Sequence, residues 1–583
     1  MTSIDRRKFL AAGSASLGAL GIVGAIPAWA RGAIGGTLAR RGSDVLSGDY
    51  LSLTVADAVF ETGTRHGPAV TVNGTIPGPL LRLREGQNLV VDLLNNSSED
   101  TSVHWHGMLV PFLMDGVPGV SMAGLKPGDR FRYEFPVRQA GTYWWHAHTL
   151  QEPMGHYGPI IIDPAEPEPF AYDRDYVLML SDWSPMNPHT IMKKLKVADA
   201  YFNYNKTTAT DNYPLSGATR RMWARMRMMP TDISDVTGST YSFLVNGYGP
   251  EDGLEFAYRP GERIRLRIIN GAAMTYFNVR IPGLPMTVVA ADGQNVRPFE
   301  VDEFQIGNAE TYDVIIEPRD GDAFAFIAEA MDRTGMGLAM FAARPGARAS
   351  VPELRAPPLL TMADMGMSDM EPGSMDHEGV GGAQSAPMGA MAMDGMSMRD
   401  TSKLPPDVKV GPGLDMVAMN PVDRMGYPGT GLDKVSHRVL TYKDLVAAKP
   451  NRDQRRPSRS VEIHLTGNME RYMWSFDGKK FSAVTDDPIR FAFNERVRVR
   501  LVNDTMMAHP IHLHGHFFEL VNGHDGFQPL KHTLTVQPGS SATFDLTADE
   551  PGDWAFHCHL IYHMHNGMFQ VVTVRPLNGE VGQ

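Results

Sequence analysis

Four short histidine motifs in the chain are suited to binding metal ions. They are His104-Trp105-His106, His146-Ala147-His148, His509-Pro510-Ile511-His512-Leu513-His514 and His557-Cys558-His559. Side chains i and i+2 of a β-strand point to the same face, so each His-x-His pair presents two imidazoles side by side. A single pair is often structural, but four pairs around one thiol supply eight imidazoles. The motifs therefore predict a cluster of several metal ions.

The thiol of Cys558 lies between two of these imidazoles and, in a strand, faces the opposite way. The segment 557–559 is therefore predicted to contact two neighbouring metal sites. Cys558, His509, His563 and Met568 would provide a thiolate, two imidazoles and a weak thioether, which is the ligand set of a blue-copper electron-transfer site. Soft sulfur ligands favour copper over zinc or calcium. Eight other histidines are expected to be surface residues or to support the ligands: His66, His156, His189, His437, His464, His516, His524 and His532.

At these motifs the chain resembles the three-domain multicopper oxidases, and among them the copper-resistance protein A type of bacterial periplasmic enzyme. The resemblance implies three cupredoxin-like Greek-key β-sandwich domains and four copper ions. It implies a type 1 copper held by His509, Cys558, His563 and Met568, and a type 2 copper held by His104 and His512. The two type 3 coppers would be held by His106, His146 and His559, and by His148, His514 and His557.

The resemblance also implies the reaction. A reductant near the surface gives up one electron at a time to the type 1 site, and Cys558 passes it through His557 and His559 to the three-copper cluster. Dioxygen is reduced to water there.

Two positions bear on the supply of protons. Asp115 matches an acidic residue that family members place near the type 2 copper, although Asp115-Gly116 also fits an ordinary turn. Where the family often has a carboxylate after the second type 1 histidine, this chain has Met564-His565. His565 is therefore a candidate for that second role.

Methionine is unusually frequent, with 36 residues against 25 phenylalanines. Ten of them lie between 362 and 398, among Asp and Gly, and we expect no core role for them because almost nothing else there is apolar. Thioethers are soft ligands that prefer Cu(I). The candidates for binding Cu(I) as a substrate are Met362, Met365, Met367, Met391, Met393 and, beside His509, Met507. The alternative for the segment is a low-complexity linker.

The four histidine motifs are predicted to lie on or beside β-strands. Segments rich in Val, Ile, Phe and Tyr alternate with Pro-Gly, Asn-Gly and Asp-Gly turns, which is typical of β-sandwiches. Similar segments precede the second and fourth motifs, and a weaker copy lies near residue 260, so one domain is repeated three times. We predict an all-β protein with domains at 47–165, 170–346 and 436–575. The segment 352–434, poor in β-branched and aromatic residues, is predicted to be a flexible Met-rich insertion.

The first thirty residues read as an export signal. Asp5-Arg6-Arg7-Lys8-Phe9-Leu10 precedes a Gly/Ala-rich apolar run and a small-x-small cleavage site at Ala28-Trp29-Ala30. We therefore expect a twin-arginine signal at 1–30 and a periplasmic protein. The formal net charge of −12 excludes a basic nucleic-acid surface, and no apolar stretch is long enough to span a membrane. One cysteine excludes internal disulfides and iron–sulfur clusters held by this chain alone.

Two functions from different classes remain. The first is a multicopper oxidase that couples oxidation of Cu(I), or of a small organic reductant such as a phenol, to reduction of O2 in copper tolerance. The second is a copper-sequestering protein with secondary oxidase activity. The complete ligand set favours the enzyme, because storage needs no three-copper site; the same eight histidines disfavour a copper nitrite reductase. We expect a monomer that exchanges copper with other copper-handling proteins.

Overall fold

The computed structural model describes residues 37–42, 44–203, 205, 215, 217–226, 228–367, 400–481 and 487–576. The predicted export signal at 1–30 lies outside these residues, as do Met391 and Met393. The described chain consists mainly of strands in six sheets, arranged as three pairs of one six-stranded and one five-stranded sheet. The prediction of an all-β fold with three β-sandwiches is confirmed.

The first sandwich contains the histidines of the first two motifs. Its strands are β1 Arg40–Arg41, β2 Val45–Ser47, β3 Tyr50–Thr62, β4 Arg65–Val72, β5 Thr75–Ile76, β6 Leu80–Arg84, β7 Asn88–Asn96, β8 His104–His106, β9 Arg130–Pro136, β10 Gly141–His146 and β11 Tyr157–Asp163. The sheet orders are β1-β5-β4-β3-β7-β9 and β2-β6-β11-β10-β8. Strands β8 and β10 are antiparallel, with His104 opposite His146, so two motifs meet on one sheet.

The second sandwich has the same division into sheets. Its strands are β12 Arg174–Trp183, β13 Ser242–Val245, β14 Glu255–Ala257, β15 Ile264–Asn270, β16 Phe277–Arg280, β17 Met286–Ala291, β18 Gln294–Val301, β19 Glu303–Ile306, β20 Thr311–Ile316, β21 Ala323–Ala330 and β22 Met336–Ala342. The sheet orders are β13-β12-β15-β20-β17-β18 and β14-β22-β21-β16-β19. None of its described residues belongs to a metal-binding motif.

The third sandwich carries the remaining motifs. Its strands are β23 Arg459–Asn468, β24 Met473–Phe476, β25 Ile489–Ala492, β26 Arg496–Asn503, β27 His509–Leu513, β28 Phe518–Leu520, β29 Leu530–Lys531, β30 Thr533–Val536, β31 Ser541–Thr547, β32 Gly552–Cys558 and β33 Phe569–Arg575. The sheet orders are β24-β23-β26-β31-β28-β29 and β25-β33-β32-β27-β30. Strands β27 and β32 pair antiparallel, with His512 opposite His557.

Helices are short. The α-helices are α1 Pro188–Leu195, α2 Gly217–Met226 and α3 Ile561–His565. Single 3₁₀ turns occur at Phe112–Met114, Glu152–Met154, Asp199–Tyr201, Ala363–Met365, Thr401–Lys403, Tyr442–Asp444 and Met469–Arg471. Among the described residues, no helix combines the length and the apolarity that crossing a bilayer requires.

A buried polar network fixes β10 against the second sandwich. Thr142, four residues before His146, donates a hydrogen bond of 2.9 Å to Asp313 and accepts one of 3.1 Å from Arg267. Arg265 pairs with the same Asp313 carboxylate at 2.5 Å. Buried charges are tolerated only when they are paired, so these contacts favour one relative position of the two sandwiches.

The segment 352–434 differs from its prediction as a flexible insertion without a core. Its described parts, 352–367 and 400–434, pack against the sandwiches: Met362, Met365 and Met367 are buried in the main apolar cluster. The Ala418 N–H donates to Asp504 at 2.8 Å, and Arg424 pairs with Asp364 at 2.6 Å. The composition of the segment could not reveal this packing, because its side chains complete the hydrophobic cores of the sandwiches and do not form a separate core. The residues between these parts, 368–399, lie outside the described chain.

Two glycines after Asp115 allow a test of the backbone geometry of this turn. Gly116 and Gly119 both have φ +80°, but a Cβ at Gly116 would collide with the Val103 carbonyl, whereas one at Gly119 would meet open space. We expect Gly119→Ala to lower the free energy of unfolding by about 1–2 kcal/mol, the cost of a left-handed residue. Gly116→Ala should cost roughly 2 kcal/mol more because of the collision. Equal losses in urea unfolding of the two variants would contradict the assigned geometry.

Candidate metal centre

The four histidine motifs converge between the first and third sandwiches. Their imidazoles form compact groups in which the ligand atoms lie within 4.8 Å of one another. These groups are His104, His512 and His514; His106, His146 and His559; and His148, His514 and His557. The eight imidazoles predicted to surround a three-copper cluster are thus brought together from two strands of each sandwich and the residues that follow them.

The unpaired ring nitrogens of this cluster fit a metal centre. Several are buried and have no hydrogen-bond partner among the described residues: His104 Nε2, His106 Nδ1 and Nε2, His146 Nε2, His512 Nε2, and His559 Nδ1 and Nε2. A buried polar atom without a partner normally destabilises a protein by about 1–3 kcal/mol. Bound copper ions would give these nitrogens their partners, because imidazole is a preferred copper ligand.

The protonation state of the cluster also suits metal binding. Burial, together with the neighbouring imidazoles, lowers the pKa of His106, His146, His148, His512, His514 and His559 well below the usual histidine range. Burial likewise lowers the pKa of His557 to about 3. These rings are therefore neutral at neutral pH and have a lone pair available for a metal.

Hydrogen bonds at Nδ1 set the orientation of five of these rings, those of His104, His146, His512, His514 and His557. His104 Nδ1 lies 2.8 Å from the Asp115 carbonyl, and His512 Nδ1 lies 2.7 Å from the His532 carbonyl. A ring held at one nitrogen directs its other nitrogen toward a metal.

Asp115 is fully buried and connects two ligands. Its Oδ2 lies 2.9 Å from His514 Nδ1, and its Oδ1 lies 3.3 Å from His104 Nδ1. Asp115 therefore belongs to the cluster, and it also lies in the bend that precedes Gly116.

Glu152 is a cluster residue that the sequence did not reveal. Its carboxylate lies 2.6 Å from His146 Nδ1 in a buried 3₁₀ turn, and burial raises its pKa well above the usual range. Glu152 lies six residues after His146, outside any i, i+2 strand pattern, so its spacing gave no reason to predict a role in the cluster. His565, the residue suggested for a second proton-transfer role, lies in α3 with an exposed side chain.

The second group of ligands surrounds Cys558. Cys558 Sγ lies 3.5 Å from His509 Nδ1 and 3.8 Å from His563 Nδ1, and those two nitrogens are 3.2 Å apart. Met568 is buried, and its carbonyl accepts the Cys558 N–H at 3.1 Å. Burial raises the pKa of the Cys558 thiol and lowers the pKa of both histidines. A bound copper would stabilise the thiolate that burial alone disfavours.

Residues from two sandwiches hold this second group. Asp235, in the second sandwich, lies 2.8 Å from His563 Nε2 and accepts a hydrogen bond of 2.6 Å from Tyr472. The Trp474 ring stacks on His563 with centroids 3.8 Å apart, and Thr505 Oγ1 lies 2.7 Å from His509 Nε2. Sequence reasoning missed Asp235 because it lies far along the chain from every histidine motif.

The predicted substrate methionines are divided by the structure. Met507 is buried, as are Met362, Met365 and Met367, and all four belong to one apolar cluster. The expectation that the methionines of 362–398 have no core role is wrong for these three. Met391 and Met393 lie outside the described residues.

Comparison with known proteins shows three matches to family models, each described as multicopper oxidase, at residues 54–167, 174–344 and 454–578. Copper resistance protein A of Escherichia coli is 45% identical, over 95% of this chain and 97% of its own length. A copper resistance protein A homolog of Pseudomonas syringae pv. tomato is also 45% identical, over 98% and 99%. The laccase of Botrytis aclada has a similar fold, with a TM-score of 0.62 at 20% identity over 93% of this chain and 90% of its own.

We predict that Cys558→Ser removes the visible colour of the copper-loaded protein. A thiolate bound to Cu(II) gives an intense charge-transfer absorption, and Cys558 is the one thiol in the chain. The measurement is the absorption spectrum of wild-type and variant protein at equal copper content, with circular dichroism as the control for folding. A loaded wild-type protein without a blue band would contradict the assignment.

We predict that the copper-free protein loses stability as the pH falls below about 6.5. The folded-state pKa values of the cluster histidines are lowered, so the unfolded chain binds more protons between that pH and about 3, where His557 titrates. The contribution of these histidines to the free energy of unfolding is fully present above about pH 6.5 and is lost as the pH falls toward about 3. The urea concentration at half unfolding should therefore be lower at about pH 5 than at about pH 7. An equal value at both pH values would contradict the buried, neutral state of these rings.

Proposed function

The chain belongs to the multicopper oxidase family, and we propose that it oxidises Cu(I) with O2 and so serves copper tolerance. It is a copper-handling oxidoreductase that uses O2 and holds copper in type 1, type 2 and type 3 sites. The buried segment His557-Cys558-His559, which contributes to both groups of clustered ligands, is the main support for an oxidase. The comparisons support the oxidase over a copper-sequestering protein.

We assign the ligands as follows. The type 1 site comprises His509, Cys558, His563 and Met568; the type 2 site comprises His104 and His512. The type 3 sites comprise His106, His146 and His559, and His148, His514 and His557. The compact groups of these residues support the assignment, since each type 3 set coincides with one group of mutually close nitrogens.

Copper bound in these sites supplies the one-electron transfers that together reduce O2 to water. The chain supplies the connection: Cys558 is joined through its own peptide bonds to His557 and His559, which gives electrons a short covalent path between the two ligand groups. Because Cys558 and both histidines are buried, the path is shielded from solvent.

Asp115 is the residue we propose to hold protons for the reduction of O2. It is a buried carboxylate between His104 and His514, and its Oδ1 has no hydrogen-bond partner in the described chain. An acidic group in this position can pass a proton to the interior of the cluster, where water is produced.

Cu(I) is the reductant we favour because two methionines stand close to the type 1 ligand His509 in the sequence. Met506 and Met507 are buried, with Ala508 between them and His509, and they belong to the same large apolar cluster as Met362 and Met365. Gly539 links the two segments: its backbone packs on that of Gly366, and its N–H donates to the Thr505 carbonyl at 3.2 Å. Thioethers bind Cu(I) well, so these side chains would guide it toward His509.

The site of action we propose is the periplasm, with export by the twin-arginine route. The motif Arg6-Arg7 with the following apolar run and cleavage site supports this proposal. Export of a folded chain suits a protein whose metal ligands come from two distant domains.

We predict that the wild-type protein consumes O2 faster with Cu(I) than with Fe(II) or a phenol. The measurement is O2 uptake with each reductant at equal concentration, and Cys558→Ser is the control expected to fall to background with all three. No O2 uptake by the loaded wild-type protein would overturn the oxidase function, and a phenol preferred over Cu(I) would overturn the substrate.

Deletion of residues 369–398 should separate the role of the remaining methionines from the core. The deletion leaves Met362, Met365 and Met367 in place, so folding should be retained. We expect the efficiency with Cu(I) to fall by roughly tenfold, because tethered ligands act by raising local concentration. The efficiency with a small organic reductant should stay unchanged. Equal losses for both reductants would remove the case for this segment in Cu(I) binding.

A further inference from the structure

His464 is a buried histidine that belongs to none of the metal-binding groups in the described chain. It lies in β23 of the third sandwich, and each of its ring nitrogens faces a carboxylate. Nδ1 is 2.6 Å from Asp504 Oδ2, and Nε2 is 3.2 Å from Glu462 Oε1. A neutral imidazole has only one N–H donor, so the charged ring alone can donate to both carboxylates. His464 therefore holds a proton between two acids.

A third carboxylate and two cations complete the charged surroundings of His464. Asp477, which follows β24, accepts the His464 backbone N–H at 2.8 Å. Burial raises the pKa of Asp477 to about 6, and the positive charge of Lys479 opposes this effect. Arg500 of β26 pairs with the second oxygen of Glu462 at 2.5 Å. Glu462 and Asp477 thus each have a second cation near them.

The Asp504 carboxylate, by contrast, depends on His464 for its counter-charge. Its side chain is fully buried, and it has no other ion-pair partner in the described chain. Burial opposes a charge on His464, but the hydrogen bond and charge of Asp504, with Glu462 and Asp477, raise the pKa of this ring above the ordinary histidine value of about 6.5. The ring is therefore charged at acidic pH and loses its proton as the pH rises through the raised value.

Asp504 also holds a segment of the insertion, residues 415–423. Its Oδ1 accepts the Ala418 N–H at 2.8 Å. Arg500, the partner of Glu462, donates to the Pro421 carbonyl at 3.1 Å. The charged residues around His464 thus fix this segment at two points.

Through Asp504, the segment 415–423 contacts the loop 503–509, which ends at the type 1 ligand His509. Thr505 directly follows Asp504, and its Oγ1 lies 2.7 Å from His509 Nε2. One residue of the loop therefore binds the segment, and the next residue contacts the ligand.

We propose that His464 is a pH-sensitive latch that holds the segment 415–423 on the loop 503–509. The protonated ring donates to Asp504 and Glu462 and so fixes the segment. Loss of the proton leaves the buried Asp504 carboxylate without a counter-charge, which is unfavourable, and the segment is released from the loop. The latch is closed at acidic pH and opens as the pH rises. Its effect on the type 1 site rests on the proposed ligand assignment, whereas the latch itself does not.

The amide of Ala418 reports on the latch directly, because its N–H donates to Asp504. The measurement is the protection of this amide from hydrogen–deuterium exchange in copper-loaded protein at about pH 6 and about pH 9, on either side of the His464 titration. Protection is expressed relative to the exchange rate of an unfolded peptide at the same pH. We expect the wild-type protection to fall by about tenfold for each unit by which the carboxylates raise the His464 pKa.

Two variants separate the latch from a general effect of pH. His464→Gln can still donate a hydrogen bond but carries no charge, so Ala418 should have equally low protection at both pH values. His437→Gln is the matched control, because His437 also pairs with a buried carboxylate at 2.6 Å, that of Glu303 in the second sandwich. The control should reproduce the pH dependence of the wild type.

Equal protection of Ala418 at both pH values in the wild type, or a wild-type pH dependence in His464→Gln, would overturn the inference. If circular dichroism shows that His464→Gln does not fold, the wild-type comparison decides alone. Because exchange is measured without turnover, a copper-loaded protein that consumes no O2 would contradict the proposed function and leave the latch unaffected.

Discussion

The segment His557-Cys558-His559 places the strictest geometric requirement on the fold. Three consecutive residues must face two metal sites, which is possible only at the end of a strand whose alternation directs the thiol one way and the imidazoles the other. Strand β32 meets this requirement through its pairing with β27, since Ile511 lies opposite Cys558 and His512 opposite His557. The rest of the third sandwich fixes that register, and the first sandwich brings its histidines to it.

Convergence of so many imidazoles is unfavourable before metal binds. Several of their buried nitrogens lack hydrogen-bond partners among the described residues, and burial lowers the pKa of rings such as His106 and His146. Contacts between the three sandwiches must therefore hold the imidazoles in place. The buried Thr142–Asp313–Arg267 contacts do so for the first and second sandwiches, and Asp235 extends the second sandwich to the ligand group around Cys558.

The sequence predicted what is local and periodic. Spacing of two residues within strands identified the histidine pairs, and turn residues between apolar segments identified the sandwiches. It could not predict Glu152 or Asp235, because each reaches a ligand through tertiary packing and has no regular spacing from it. The expectation from composition that Met362, Met365 and Met367 have no core role was wrong. Composition reports whether a segment can form its own core, and these residues complete the core of a neighbour.

The burial of Cys558 has a consequence for handling the copper-free protein. The chain has one thiol, it is fully buried, and burial raises its pKa, so reagents that modify cysteine meet an unreactive group while the fold is closed. Labelling then proceeds only through opening of the third sandwich around β32. The labelling rate of the Cys558 thiol therefore reports the local unfolding of the third sandwich at this one site, without any introduced probe.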